Sequence, residues 1–308
     1  MKKQPNFMIV GAGKSGTTAL YEYLAEHPEV YMSPVKETNF FALEGTQMVD
    51  AKDDPEQMFH YPWSVTNWGD YQALFHRVTD EKAIGEVSPM YLYSPAAAHR
   101  IKELLPNTKI IAILRDPVDR LYSRFMHLAR ENRVPSENFE DALDRESIWW
   151  KRNDLVQEGF YHQHLSAYYE LFDDKQIRVY LYDDLRKEPL KVIQDIYSFI
   201  GVDAAFTPDF SAEYNVSGRI QNRLLDRLIG QNSMIKSGIK KLSPALSNLL
   251  SNSEKIKKYV NRLRTANIRK EPLQPAIRRQ LIDQVYSQEI NALQDLLQVN
   301  LSNWLLTK

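Results

Sequence analysis

The stretch GAGKSGTT, Gly11 to Thr18, packs three glycines, one lysine and three hydroxyl side chains into a single turn. It follows the short apolar run FMIV (Phe7 to Val10) and precedes TTALYEYLAEH, whose apolar residues recur at helical spacing. A strand-to-helix turn of this kind presents backbone N–H groups and the positive end of a helix dipole, which suits phosphate or sulfate. A nucleoside-triphosphate loop reads GxxxxGK[ST], with lysine directly after the second glycine and a hydroxyl for magnesium. Gly11 and Gly16 keep that spacing, but Thr17 stands in the lysine position and Lys14 lies inside the loop. Lys14 therefore meets an anion from within the turn, with Gly13, Ser15, Gly16, Thr17 and Thr18 as the other anion-binding residues.

A second strand pattern, KIIAIL (Lys109 to Leu114), runs into Arg115, where an enzyme that binds a metal nucleotide would place an acidic residue. Asp116 follows, fixed in a turn by Pro117. A cation at that strand end suits a second phosphate, and no metal is expected. The rival reading is a magnesium-dependent small-molecule kinase. Both the position of the lysine and the arginine at the second strand argue against it.

The elements that must hold these residues alternate. QIRVYLYDDL (Gln176 to Leu185) reads as a third long strand, EVYM and AIGEV as shorter ones, and EPLKVIQDIYSFIG as a helix from near Pro189 to Gly201. Strands alternating with helices predict an α/β fold of the P-loop type, in three layers around a central, mainly parallel sheet. In that architecture ligands collect beyond the carboxyl ends of the strands. After about residue 219 the strand patterns stop, and LLDRLIG, IKKLSPALSNLL, KIKKYVNRL and PAIRRQLIDQVYSQEINALQDLLQ all look helical. We read residues 1–308 as a single domain, with an α/β core over 1–218 carrying the anion site and a helical C-terminal extension over 219–308.

Composition narrows the chemistry. The 308 residues contain no cysteine, which excludes disulfides, thiolate metal sites and cysteine nucleophiles. The N-terminal apolar run is far too short for a signal-peptide core or a membrane span, so a cytoplasmic location is expected. The net charge of −1 is unevenly spread: residues 219–270 hold thirteen Lys/Arg against Asp226 and Glu254, an excess of +11. That basic stretch fits either an anionic acceptor or membrane surface, or a solvated helical face.

The segment PNFMIVGAGKSGTTALYEYLAEHPEVYMSPVKETNFF resembles the 5'-phosphosulfate end of sulfotransferases that use 3'-phosphoadenosine 5'-phosphosulfate (PAPS). It is most similar to the heparan-sulfate-type domain and its bacterial relatives. IIAILRDPVDRLYSRFMH is similar to the second signature of the family, in which the strand-end arginine and a later serine hold the 3'-phosphate; those positions are Arg115 and Ser123. Further resemblance runs through GEVSPMYL, GFYHQHL, RVYLYDDL and LQDLLQVNLSNWL, covering the chain except roughly residues 225–265.

The resemblance implies transfer of a sulfuryl group from PAPS to a hydroxyl or amine, leaving adenosine 3',5'-bisphosphate and requiring no metal. The acceptor would be a glycan, lipid or small molecule, and not a nucleic acid. Lys14 would stabilise the departing phosphate oxygen, while Glu37 in VKETNFF would serve as base and Lys36 beside it would orient acceptor or sulfate. NVSGRIQNR resembles the late loop that closes over the nucleotide, which assigns Ser217, Gly218 and Arg219 to the cofactor. His60 in MFHYPW is a second candidate base or acceptor contact, because the cytosolic branch of the family uses a histidine. Glu86, ending AIGEV, is an alternative base or acceptor contact, or else a satisfied structural carboxylate. Tyr91, Tyr93, Trp149, Trp150 and Tyr161 read first as core, and otherwise as stacking surfaces. Two departures, Asn39 for a histidine and Val87 for a lysine, speak against a highly sulfated glycan.

Overall fold

The computed structural model describes residues 3–46, 61, 63–131, 133–211, 219–220, 268–269 and 272–307. Five strands, β1 (Phe7–Gly11), β2 (Val30–Met32), β3 (Ala83–Val87), β4 (Lys109–Leu114) and β5 (Ile177–Leu181), form one sheet in the order β2-β3-β1-β4-β5. All four pairings are parallel. Every residue of β1 and β3 is buried, which explains why β1 reads as a continuous apolar run and β3 as one broken only by Glu86.

The side chains nevertheless separate by parity, as a period of two demands. Met8, Val10, Ile110, Ala112 and Leu114 face one apolar cluster. Phe7, Ile9, Ile111 and Ile113 face the other. The second cluster is closed by α1 (Thr17–Ala25) and, later in the chain, by α9 (Tyr182–Lys187) and α10 (Pro189–Ile200). On the first face lie, in chain order, α2 (Phe40–Leu43), α3 (Trp68–Ala73), α4 (Met90–Tyr93), α5 (Ala97–Leu104), α6 (Pro117–Arg130), α7 (Ile148–Lys151) and α8 (Tyr161–Leu171). The three layers expected from the sequence are therefore present.

Pro117 and Pro189 occupy first-turn helical positions, where a missing N–H costs nothing. Gly201 ends α10 at φ 87°, a left-handed conformation that favours glycine. The expected strand Gln176 to Leu185 is shorter than its pattern, because Tyr182 already begins α9. Asp183 and Asp184 sit in that helix's first turn, where carboxylates meet the positive end of the dipole.

The C-terminal segment differs from a peripheral extension. The helices α11 (Pro275–Leu281) and α12 (Ser287–Leu297) are joined by a wider helical turn over Ile282–Tyr286. Ile277, Leu281, Ile282, Tyr286, Ile290, Leu293, Leu301 and Trp304 join the same apolar cluster as Met8 and Leu114. Strands also do not stop at residue 219: β6 (Arg219–Ile220) pairs antiparallel with β7 (Ile268–Arg269). The three basic helical patterns between these two strands lie outside the described residues, as do His60, Ser217 and Gly218.

Candidate active site

The adjacent strands β1 and β4 lead to opposite sides of the sheet, one towards β2 and the other towards β5. Their carboxyl ends thus form the point at which an open α/β sheet opens a crevice. The Gly11–Gly16 loop follows β1 there, and Arg115 follows β4. Gly16 caps α1 at φ 96° with no side-chain hydrogen bond to the helix. The N–H groups of the first turn are left for an anion. Ser15 is fully buried, and its hydroxyl has no hydrogen-bond partner among the described residues. A buried orphan hydroxyl beside free helix-end N–H groups fits a bound phosphate or sulfate.

The loop is held from several directions. Ala12 N–H donates to Ile113 O at 2.8 Å, and Gly13 N–H donates to Glu158 Oε1 at 2.6 Å. Arg115 Nη1 donates to Lys14 O at 3.2 Å. Lys14 itself has φ 64°, a conformation costing roughly 1–2 kcal/mol outside glycine, so these contacts are what keep it there. A Cβ on Gly13 would lie 2.7 Å from both Arg124 Nη2 and Glu158 Oε1, and one on Gly16 would lie 3.0 Å from the Tyr182 ring. Both glycines permit an approach that alanine would block.

Behind the loop is a buried ion network. Glu158 pairs with Arg120 at 2.8 Å and Arg124 at 3.1 Å, and Arg152 pairs with Asp154 at 3.2 Å. Burial opposes the Arg124 cation, but Glu158 and Asp154 outweigh it and hold its pKa above the ordinary value. Lys14 responds in the other direction. Burial, reinforced by the Arg124 and Arg130 cations, pushes its pKa down to about 7, while Glu37 and Glu131 pull upward. Lys14 is a nearly balanced acid until an anion arrives.

Glu37 acts on Lys14 through space because β3 places it there. Its N–H donates to Val87 O at 2.8 Å, and its carboxylate pairs with Lys36 at 2.6 Å. Both Glu37 and Asn39 have positive φ, 62° and 54°. Lys14 and the adjacent pair Lys36–Glu37, some twenty residues apart in sequence, thus form one charged group at the carboxyl edge of the sheet. Arg115 stacks on Tyr182, 5.1 Å from the ring centroid, and Ser123 is buried on α6, 3% exposed. Asp119 is ion-paired with Arg278 of α11.

Glu86 is corrected. It is fully buried and accepts hydrogen bonds from Thr38, Tyr71, Ser88 and Tyr91, so no surface of it meets an acceptor. Tyr91, Trp149 and Tyr161 are likewise core residues. Of Arg219, only the backbone pairing with Arg269 is described.

The face of α6 supplies residues that the sequence reading passes over. Arg124, His127 and Arg130 of α6, with Glu131 at its C-cap, all bear electrostatically on Lys14. Burial, with the Lys14 and Arg124 cations, pushes the His127 pKa down to about 2. Arg130 donates to His127 Nδ1 at 3.0 Å, which puts the imidazole proton on Nε2, 3.4 Å from Glu131. Tyr61, which stacks on Trp63, is pushed up to about 12 by burial and by Glu37.

Residues 5–208 match the family described as "Sulfotransferase family". Among curated proteins, the chain is 28% identical over 208 residues to bifunctional heparan sulfate N-deacetylase/N-sulfotransferase 4 of Mus musculus, 64% of this chain but 22% of the mouse protein. It is 30% identical over 243 residues to bifunctional heparan sulfate N-deacetylase/N-sulfotransferase 1 of Caenorhabditis elegans, 73% of this chain and 25% of that protein. The chain therefore spans about a quarter of the length of these relatives. Among solved structures, a sulfotransferase from Alicyclobacillus acidocaldarius superposes with a TM-score of 0.69 at 25% identity, covering 98% of this chain and 99% of that one.

Proposed function

The chain belongs to the sulfotransferase family, and from that premise we propose that it transfers a sulfuryl group from PAPS to a hydroxyl or amine by in-line displacement. PAPS would supply an activated sulfuryl group on a phosphate leaving group. The observation that carries the reading is the buried Ser15 hydroxyl, without a partner among the described residues, in the turn that also carries Lys14, with Glu37 near enough to bear on the Lys14 charge. Cation, base and anion cradle then stand at one strand edge.

Lys14 donates to the oxygen that takes up charge as the bond to sulfur breaks. Such donors act mainly in the transition state and are worth about 2.7–4 kcal/mol each. The N–H groups of Ser15 to Thr18 hold the 5'-phosphate without moving a proton. Glu37 removes the acceptor proton, a contribution typically of about 10²–10⁴ in rate, and Lys36 keeps its carboxylate oriented. Arg115, fixed by Tyr182 and by Lys14 O, offers a planar fork to the 3'-phosphate, and Ser123 a hydroxyl. An amine or hydroxyl of a glycan, a lipid or a small molecule fits as acceptor.

A kinase would need its lysine directly after Gly16 and an acidic residue at the end of β4; Thr17 and Arg115 stand in those places. The test is thermal. Adenosine 3',5'-bisphosphate should raise the melting temperature in EDTA, and labelled sulfate should pass from PAPS into an acceptor in cell extract. Stabilisation by magnesium ATP alone, with no label transferred, would replace this reading with the kinase.

A further inference from the structure

Glu86 accepts four side-chain hydrogen bonds, and the groups that donate them come from three places in the chain. Its Oε1 accepts from Tyr71 at 2.7 Å and Tyr91 at 2.9 Å, and its Oε2 from Thr38 at 2.6 Å and Ser88 at 2.9 Å. Tyr71 belongs to α3, Ser88 and Tyr91 follow β3, and Thr38 sits between Glu37 and Asn39. Those two flanking residues both hold positive φ, a backbone shape that persists only where the surroundings over-determine it.

The surroundings do so from the same strand end. Glu37 N–H donates to Val87 O, Asn39 N–H to Ser88 Oγ at 3.1 Å, and Val65 N–H to Thr38 O at 2.8 Å. Thr38 is the one residue of this turn whose side chain reaches the carboxylate. We propose that Glu86 is a positioning residue: through the Thr38 hydroxyl it locks the turn that aims the Glu37 carboxylate at the acceptor. This rests on Glu37 being the base. A carboxylate suits the task because four hydroxyls can all donate to it, whereas the amide of glutamine would turn two donors of its own towards them.

The experiment compares Thr38→Val, Thr38→Ser, Tyr71→Phe and Glu37→Gln in one PAPS-dependent transfer assay, with binding of adenosine 3',5'-bisphosphate and melting temperature measured in parallel. We expect Thr38→Val to lower kcat about 10-fold or more while nucleotide affinity stays within about twofold, and Thr38→Ser to restore kcat. If Thr38→Val gives no folded protein, Tyr71→Phe decides: it removes one donor to Glu86 and keeps the ring, and should lower kcat with nucleotide affinity unchanged. A folded Thr38→Val, or failing that Tyr71→Phe, with wild-type kcat beside an inactive Glu37→Gln would overturn the positioning role alone. An active Glu37→Gln would overturn the base assignment and the inference with it. Loss of melting temperature without loss of kcat in the folded fraction would mark Glu86 as core only.

Discussion

Gly13 donates its N–H to the Glu158 carboxylate at 2.6 Å, across 145 residues of sequence. Glu158 is fully buried and pairs with both Arg120 and Arg124. One amide of the anion loop is therefore committed to a protein carboxylate, which fixes the loop's direction and leaves the later amides for the ligand. The same network sets the charge at Lys14, since Arg124 is among the cations that lower its pKa.

Glu158→Gln should accordingly be expensive. It removes the anion from the pair with Arg120, both side chains at 0% exposure, and breaking a buried ion pair from one side typically costs about 3–5 kcal/mol. Urea unfolding should show that loss together with weakened binding of adenosine 3',5'-bisphosphate. A variant as stable as the parent would mean that water or a shifted side chain compensates Arg120 and Arg124.

Lys14 gives a pH signature. Its pKa in the free protein lies at about 7, below the ordinary lysine value, and a nearby phosphate favours the ammonium form and raises it. Binding therefore takes up a proton above pH 7, and affinity falls as pH rises from there, by up to about tenfold per unit. Calorimetric titration with adenosine 3',5'-bisphosphate at pH 8, in buffers of different ionisation heat, should detect the uptake. Lys14→Met should abolish it and lower kcat about 10²–10³-fold. Buffer-independent heats in the parent protein would place Lys14 away from the phosphates.

Arg115 should separate two nucleotides. Stacked on Tyr182 and tied to Lys14 O, it is assigned to the 3'-phosphate, so Arg115→Ala should weaken PAPS by about tenfold or more, in line with a charged hydrogen bond of about 1.5–3 kcal/mol. Adenosine 5'-phosphosulfate, which lacks that phosphate, should lose far less. Equal losses in competition binding would assign the arginine to holding the loop and nothing more.

What the sequence discloses is the part of the site that is local. Gly11 to Thr18 and Arg115 announce themselves because strand, turn and helix patterns meet within a few residues. Glu86 reads ambiguously, since its hydroxyl donors at 38, 71, 88 and 91 converge only when α3, β3 and the Glu37 turn pack together. Glu158 carries no local signal at all. His127 had one: the spacing of Arg124, His127 and Arg130 marks a single face of α6, and only the bearing of that face on Lys14 is tertiary. The C-terminal helices read as an extension because their sequence is amphipathic; the cluster they complete is spread over the whole chain.

Arg278 shows how those helices bear on the site. It is 4% exposed, and its guanidinium pairs with Asp116 and Asp119. Asp116 also caps α6, accepting from Val118 N–H at 3.0 Å and Asp119 N–H at 3.2 Å, and it directly follows Arg115. Asp119 is 35% exposed on its side chain and its pair with Arg278 contributes little, so the effect of Arg278 runs through buried Asp116. Arg278→Leu should lower stability by about 3 kcal/mol or more, because Asp116 stays buried without this cation. Nucleotide affinity should fall as well, as Arg115 and the start of α6 lose their shared anchor. Arg278→Lys keeps the charge but not the fork that reaches both carboxylates, and should fall between the two. Unfolding curves and nucleotide titrations of both variants decide: if Arg278→Leu melts like the parent, α11 merely covers the core and does not hold the Arg115 end of the site.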